Sequence, residues 1–253
     1  MSKAEGVEKK RIHFMDEVRG LDILLMVIFH AAYVAGWIFH WEWGRQFFLF
    51  FKPVEALFSG IFIFICGVSC RLSHGNLKRG LLIGACALLI SLTLYFVMPE
   101  QMIWFGILHF LSAAVLLFAL LRPLLDRIPV LPGLIACILL MLLTWHLPPE
   151  DGGYFGIKGL WEWRLPYWIT SQRWLYPLGL GTGRGVDYFP LFPWFFCLLA
   201  GSYVGRWAQE ERLPDWMYVR RVPFFIWAGR HTLIIYLLHQ PVAFLLFAFV
   251  SAL

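Results

Sequence analysis

Of the chain's 253 residues, 60% are hydrophobic and only 15% are charged, with a net charge of +5. This balance excludes an ordinary water-soluble domain, in which about a quarter of the residues are charged. Basic residues flanking membrane spans, drawn to anionic lipid head groups, account for the positive charge without any need for nucleic acid.

About 20 apolar residues at 1.5 Å each cross a hydrocarbon core of about 30 Å. Runs of this size predict seven transmembrane helices, at Leu21–Phe39, Pro53–Cys70, Gly80–Met98, Ile103–Leu121, Val130–His146, Tyr188–Gly205 and His231–Ser251. Two boundaries are soft: Phe47–Phe51 can extend the second run and Pro223–Ala228 the seventh. The expected fold class is all-α, a polytopic helical membrane protein. The helices fill the chain, so a single domain over 1–253 is expected, with 1–18 as a cytoplasmic leader and 147–187 as a long outer loop. The first run is longer than a signal-peptide core, and Glu5, Glu8, Asp16 and Glu17 dilute the basic leader. It is expected to be a retained helix.

Lysine and arginine set the orientation. With the N-terminus in the cytoplasm, 15 of the 21 fall on the inner side: five before the first span, three at Arg71–Arg79, two at Arg122–Arg127 and five at Arg206–Arg230. The other six are outside: Arg45, Lys52, Lys158, Arg164, Arg173 and Arg184. The C-terminus is then expected outside. All five cysteines, Cys66, Cys70, Cys86, Cys137 and Cys197, fall in predicted spans and are read as packing residues. No Cys/His set has metal spacing, and no metal is expected. The outer loop carries Trp161, Trp163, Tyr167, Trp168, Trp174 and Tyr176. These rings suit an interfacial belt or, as a sharper reading, a stacking platform for sugars.

Ionisable side chains inside a bilayer are costly and mark function by default. Arg19 stands at the cytoplasmic edge of the first span, and His30 lies about 16 Å deeper along the helix. A cytoplasmic ligand with an extended arm, such as coenzyme A, could anchor phosphates near Arg19 and present its reactive end at His30. The structural alternative is an Arg19–Asp22 pair at the helix start, with His30 bonded to a neighbouring helix.

Several motifs then point to one family: Glu17–Asp22 (EVRGLD), Met26–His30 (MVIFH), Ile63–Cys70 (IFICGVSC), Leu77–Gly80 (LKRG), Phe105–His109 (FGILH), Asp187–Trp194 (DYFPLFPW) and Gly229–Pro241 (GRHTLIIYLLHQP). In this order, over roughly Arg11 to Phe249, they resemble the catalytic-domain family of heparan-α-glucosaminide N-acetyltransferase, particularly its short bacterial members. An arginine, ten residues and a histidine in the first span also look like the hallmark of membrane acyltransferases that O-acetylate surface polysaccharides.

The resemblance implies transfer of an acetyl group from cytosolic acetyl-CoA, as co-substrate, to an amino sugar or glycan hydroxyl on the outer side. Lysosomal relatives carry a catalytic histidine just past this helix and an asparagine deeper in it. Here His30 occupies the deeper position and His40 falls near the catalytic one, across a gap in the alignment. On a regular helix the two lie about 15 Å and 280° apart, so they serve one small site only if the helix breaks near Gly36. Acetyl transfer needs a base for the acceptor's proton, and neutral imidazole suits that task near pH 7. The candidate catalytic set is His30, His40, His239, His109 and Asp187. Asp187 can equally cap the sixth span. Arg19, Lys78, Arg79 and Arg230 are candidate phosphate contacts or positive-inside anchors. Expected partners are acetyl-CoA, the glycan acceptor and membrane lipids; nucleic acid is not expected, and a homodimer is compatible with this reading. The alternatives are a non-enzymatic transporter or flippase for a lipid-linked glycan, and a membrane scaffold.

Overall fold

A computed structural model describes residues 11–183 and 185–253; the leader residues 1–10, with Lys3, Glu5, Glu8, Lys9 and Lys10, and Arg184 of the outer loop lie outside the described residues. The helices are α1 (His13–Tyr33), α2 (Glu42–Phe51), α3 (Glu55–Leu72), α4 (Asn76–Val97), α5 (Ile107–Leu125), α6 (Val130–Thr144), α7 (Tyr167–Thr170), α8 (Leu191–Gln209), α9 (Pro223–Arg230) and α10 (Thr232–Ser251). Among the described residues, five helical stretches are long and apolar enough to cross a membrane: His13–Ile38, Glu42–Leu72, Asn76–Val97, Ile107–Leu125 and Thr232–Ser251. Helices suit a bilayer because they satisfy their backbone polar groups internally. The other two expected spans are helical but different in kind. α6 has 15 residues. α8 has 19, but its aromatic, glycine and polar content makes it less apolar, and most of it is buried in protein.

The chain forms two compact units, Met1–Ser59 with Leu213–Leu253, and Gly60–Arg212. In the first, α1 packs against α9, α10 and α2. The crossing of α1 and α9 is backbone on backbone. A Cβ at Gly20 would overlap the carbonyl oxygen of Phe225, and one at Gly229 would overlap that of Asp16. Small residues allow such an approach, which matters where lipid is as apolar as any side chain. Glu17 secures the crossing: its Oε1 accepts the backbone N–H groups of Arg221 (2.7 Å) and Val222 (2.9 Å), just before α9 begins. A bend at His231 separates α9 from α10, so Pro223–Ala228 forms its own short helix rather than extending the last span. Asp16 meets Arg230 and, further along α1, His30 meets His239. α1 and α10 therefore run parallel.

The first span ends unusually. After Tyr33 the helix widens into a π-helical turn, Val34–Ile38, a form that often accompanies function. The chain then reverses, with His40 in the left-handed region at φ 57°. α2 folds back so closely that a Cβ on Gly44 would sit 2.7 Å from the Gly36 nitrogen. Phe47–Phe51 belongs to this separate helix, which runs on through a 3₁₀ turn into α3.

In the second unit, Ser112 Oγ donates to the carbonyl of Gly80 at 2.9 Å, joining α5 to α4. α8 is its most enclosed helix, with Leu198, Ser202 and Tyr203 buried. Arg71, one of the three cations assigned to the inner segment Arg71–Arg79, is fully buried. It pairs with Asp126, donates to the Ser202 carbonyl and covers the Phe118 ring. The long loop is not all helix and coil. β1 (Tyr154–Ile157) and β2 (Trp161–Arg164) form an antiparallel hairpin, the one departure from an all-α fold among the described residues. Its glycines Gly156 and Gly159 adopt positive φ, a conformation that L-residues with a side chain resist. Trp161, Trp163, Tyr167, Trp168 and Trp174 are exposed, whereas Tyr176 is buried and stacked on Tyr188 with centroids 4.0 Å apart.

Gly20→Val should lower stability by about 1–3 kcal/mol, the usual cost of overpacking, because the Phe225 carbonyl cannot yield as a flexible side chain would. Thermal unfolding in detergent reads this, and an unchanged midpoint would contradict the backbone contact.

Candidate functional site

The polar groups of α1 lie mainly on the side facing α9 and α10. At its start, Asp16 is buried and gathers three guanidinium groups. Arg11 Nε lies 2.7 Å from its carboxylate, an Arg19 terminal nitrogen 3.5 Å away and Arg230 Nε 3.8 Å away. Three cations around one acid leave an excess of positive charge, suited to an anion such as phosphate. Arg19 thus pairs with Asp16, not with Asp22 as the structural alternative had it. An acid on the N-terminal side of its arginine is favoured by the helix dipole. Asp22 is left buried without a hydrogen bond or ion pair among the described residues.

Deeper in α1, His30 Nδ1 lies 2.8 Å from His239 Nε2, with the rings stacked at 27° and centroids 5.0 Å apart. His239 Nδ1 lies 2.5 Å from the carbonyl oxygen of Tyr236. A carbonyl only accepts, so His239 Nδ1 carries a proton. In a neutral ring its Nε2 then holds a lone pair, and that lone pair accepts from His30 Nδ1–H. His30 Nε2 is left as the basic nitrogen of the pair. Its side chain is half-buried, while His239 is 7% exposed. Phe29 stands beside it and stacks on Phe48 of α2 at 4.5 Å.

The structure places His30 beside His239, and Arg19 and Arg230 around the Asp16 carboxylate. The helix does break after Gly36, but His40 ends up exposed on the turn.

The remaining candidates belong to the second unit, where His109, Asp187 and Arg79 have local partners. His109 Nε2 lies 3.2 Å from Ser91 Oγ, whose own proton goes to the Ile103 carbonyl. Asp187 accepts from the N–H of Ile107 at 3.4 Å, and so caps α5 rather than the helix that follows it in sequence. α5 begins only at Ile107, after Gly106, which places His109 in its first turn. Lys78 is exposed, and Arg79 reaches the sulfur of Cys66 at 3.6 Å. Among the described residues, no three His, Cys, Asp or Glu side chains gather as a metal site.

Sequence reasoning overlooked Asp16, Arg11 and Glu17 as organisers of this end of α1. The available signal was the placement of two acids in the first turns of an apolar helix, where each must find a partner once buried.

The sequence profile of the heparan-alpha-glucosaminide N-acetyltransferase catalytic family matches residues 11–241. No curated protein and no solved structure matches the chain. Because the match spans the arginine cluster, the histidine pair and both units, the chain belongs to this family and is an integral membrane transferase of the acetyltransferase type.

Proposed function

We propose that this protein transfers the acetyl group of cytosolic acetyl-CoA across the membrane to an amino sugar or a glycan hydroxyl, with His30 as the base. The observation that carries the proposal is the His30–His239 hydrogen bond, which leaves His30 Nε2 unprotonated inside a membrane helix. Bound acetyl-CoA supplies the activated thioester. Arg11, Arg19 and Arg230 hold its phosphates; their donor set fits, since one acid does not neutralise three guanidiniums. His30 lies about 16 Å along α1 from Arg19, a separation comparable to the pantetheine arm.

The proton path follows from the tautomers. As the acceptor's nitrogen or oxygen attacks the thioester carbonyl, His30 Nε2 takes its proton and the ring becomes an imidazolium. The His30 Nδ1–H bond to His239 Nε2 shares that charge, and the Tyr236 carbonyl keeps His239 in the accepting tautomer. The proton leaves with the departing thiolate, so the pair returns to its neutral state.

We further propose seven spans, with the N-terminus in the cytoplasm and the C-terminus outside, in a bacterial plasma membrane. Two observations support this. With the N-terminus inside, a seven-span reading puts 15 of the 21 Lys and Arg in inner segments, and parallel α1 and α10 require the last span to be odd-numbered. α6 and α8 would supply the two spans beyond the five long apolar stretches. The family match draws on both compact units, which supports treating them as one acyltransferase domain.

Purified protein in nanodiscs, given radiolabelled acetyl-CoA and amino-sugar acceptors, should yield labelled acceptor. Absence of both thioester cleavage and CoA binding would favour the transporter. His30→Ala should lower the rate 10²–10⁴-fold, as loss of a general base does, while leaving CoA binding largely intact. His239→Ala should cost less, and His40→Ala should stay within about threefold of the parent. A dead His40→Ala beside an active His30→Ala would reverse the assignment. Reporter fusions should place the C-terminus outside, and an even number of spans would contradict the topology.

A further inference from the structure

Asp22 is a buried acid that the proposed chemistry leaves unused. It is 6% exposed and has no hydrogen bond or ion pair among the described residues. Burying a carboxyl group without a partner is costly, and more so within a membrane helix. A polar group of this kind calls for an explanation, and its position supplies one. Arg19, Asp22, Met26 and His30 fall at i, i+3, i+7 and i+11 of α1. At about 100° per residue they lie within roughly 80° of one another, on one stripe of the helix. Asp22 stands about 4.5 Å beyond Arg19 in the direction of His30, with about 12 Å remaining to that histidine.

We propose that Asp22 receives the pantetheine arm of coenzyme A, its carboxylate accepting a hydrogen bond from the arm's secondary hydroxyl. This rests on the proposed function, in which phosphates sit at the arginine cluster and the thioester at His30. The hydroxyl stands close to the phosphate end of the arm, which matches the short step from Arg19 to Asp22. The rest of the arm, with its two amides, spans the longer step to His30. Asp22 so becomes a positioning residue: it fixes the depth to which the arm enters and thereby the register of the thioester against His30 Nε2. A carboxylate only accepts, whereas the arginine cluster only donates, so the two together read the alternation of phosphate and hydroxyl along the ligand.

The test is direct binding to the full chain in nanodiscs, with CoA and with a CoA analogue whose arm lacks the secondary hydroxyl. The parent should prefer CoA. Asp22→Ala should bind CoA about tenfold or more weakly, the usual worth of a hydrogen bond to a charged group. It should bind the analogue as the parent does, so the preference disappears. Asp22→Asn keeps the shape and one acceptor and should fall between the two. Without ligand, Asp22→Ala should be no less stable than the parent on heating, since it removes an unpaired buried acid; a lower midpoint would point to a structural role and overturn the proposal. Equal losses for CoA and the analogue, or no loss for either, would overturn the role of Asp22 while leaving the acetyltransferase reading intact. Failure of the parent itself to bind CoA would overturn both.

Discussion

A histidine inside a membrane helix must find a hydrogen-bond partner, and for His30 that partner is His239 on α10. The requirement shapes the whole first unit. α1 and α10 must lie side by side and parallel, which brings the residue after α9 back to the start of α1. Gly20 and Gly229 permit that return by allowing backbone to touch backbone, and Glu17 satisfies the donors at the beginning of α9. The same arrangement delivers Arg230 to Asp16, where it joins Arg11 and Arg19. A cationic cluster at one end of α1 and a basic nitrogen further along it are thus two consequences of one packing solution. In the proposed reading, chemistry at the histidine pair and phosphate binding at the arginine cluster share a single helix, and a site held on a helix keeps its distances better than one held on loops.

Much of this was legible in the sequence, for physical reasons that can be named. A membrane imposes long apolar runs, so the helical class and most of the span positions could be read directly. His30 stood out because an imidazole in such a run is costly and rare. Its spacing from Arg19 survives in the structure because both lie on one unbroken helix. What could not be read was pairing across sequence distance. His30 and His239 lie 209 positions apart, and nothing in local periodicity links them. Asp16 was hidden because Asp22 stands at the same distance from Arg19 on the other side, and only the helix dipole and the arrival of Arg230 separate the two. Asp187 looked like a cap for the helix after it, yet tertiary folding offers it the N-terminus of α5 instead.

Two further departures trace to glycine. Positive φ at Gly156 and Gly159 lets the outer loop turn as a hairpin where composition indicated only aromatic coil. Gly36 and Gly44 let α2 press against the end of α1, which breaks the helix after a π-helical turn and leaves His40 exposed. The break was foreseen as a condition under which His40 could share the site with His30. The reversal instead carries the backbone away through an exposed corner, and aromatic rings of α1 and α2, led by Phe29 and Phe48, close the flank beside His30.

In the proposed site one helix, α1, holds both ends of the acetyl donor. A structure of the full chain in nanodiscs with CoA bound tests it most directly. Phosphates are expected within hydrogen-bonding distance of the Arg19 and Arg230 guanidiniums, and a thiol beside His30 Nε2. Phosphates remote from both arginines, or a thiol placed away from His30, would contradict it.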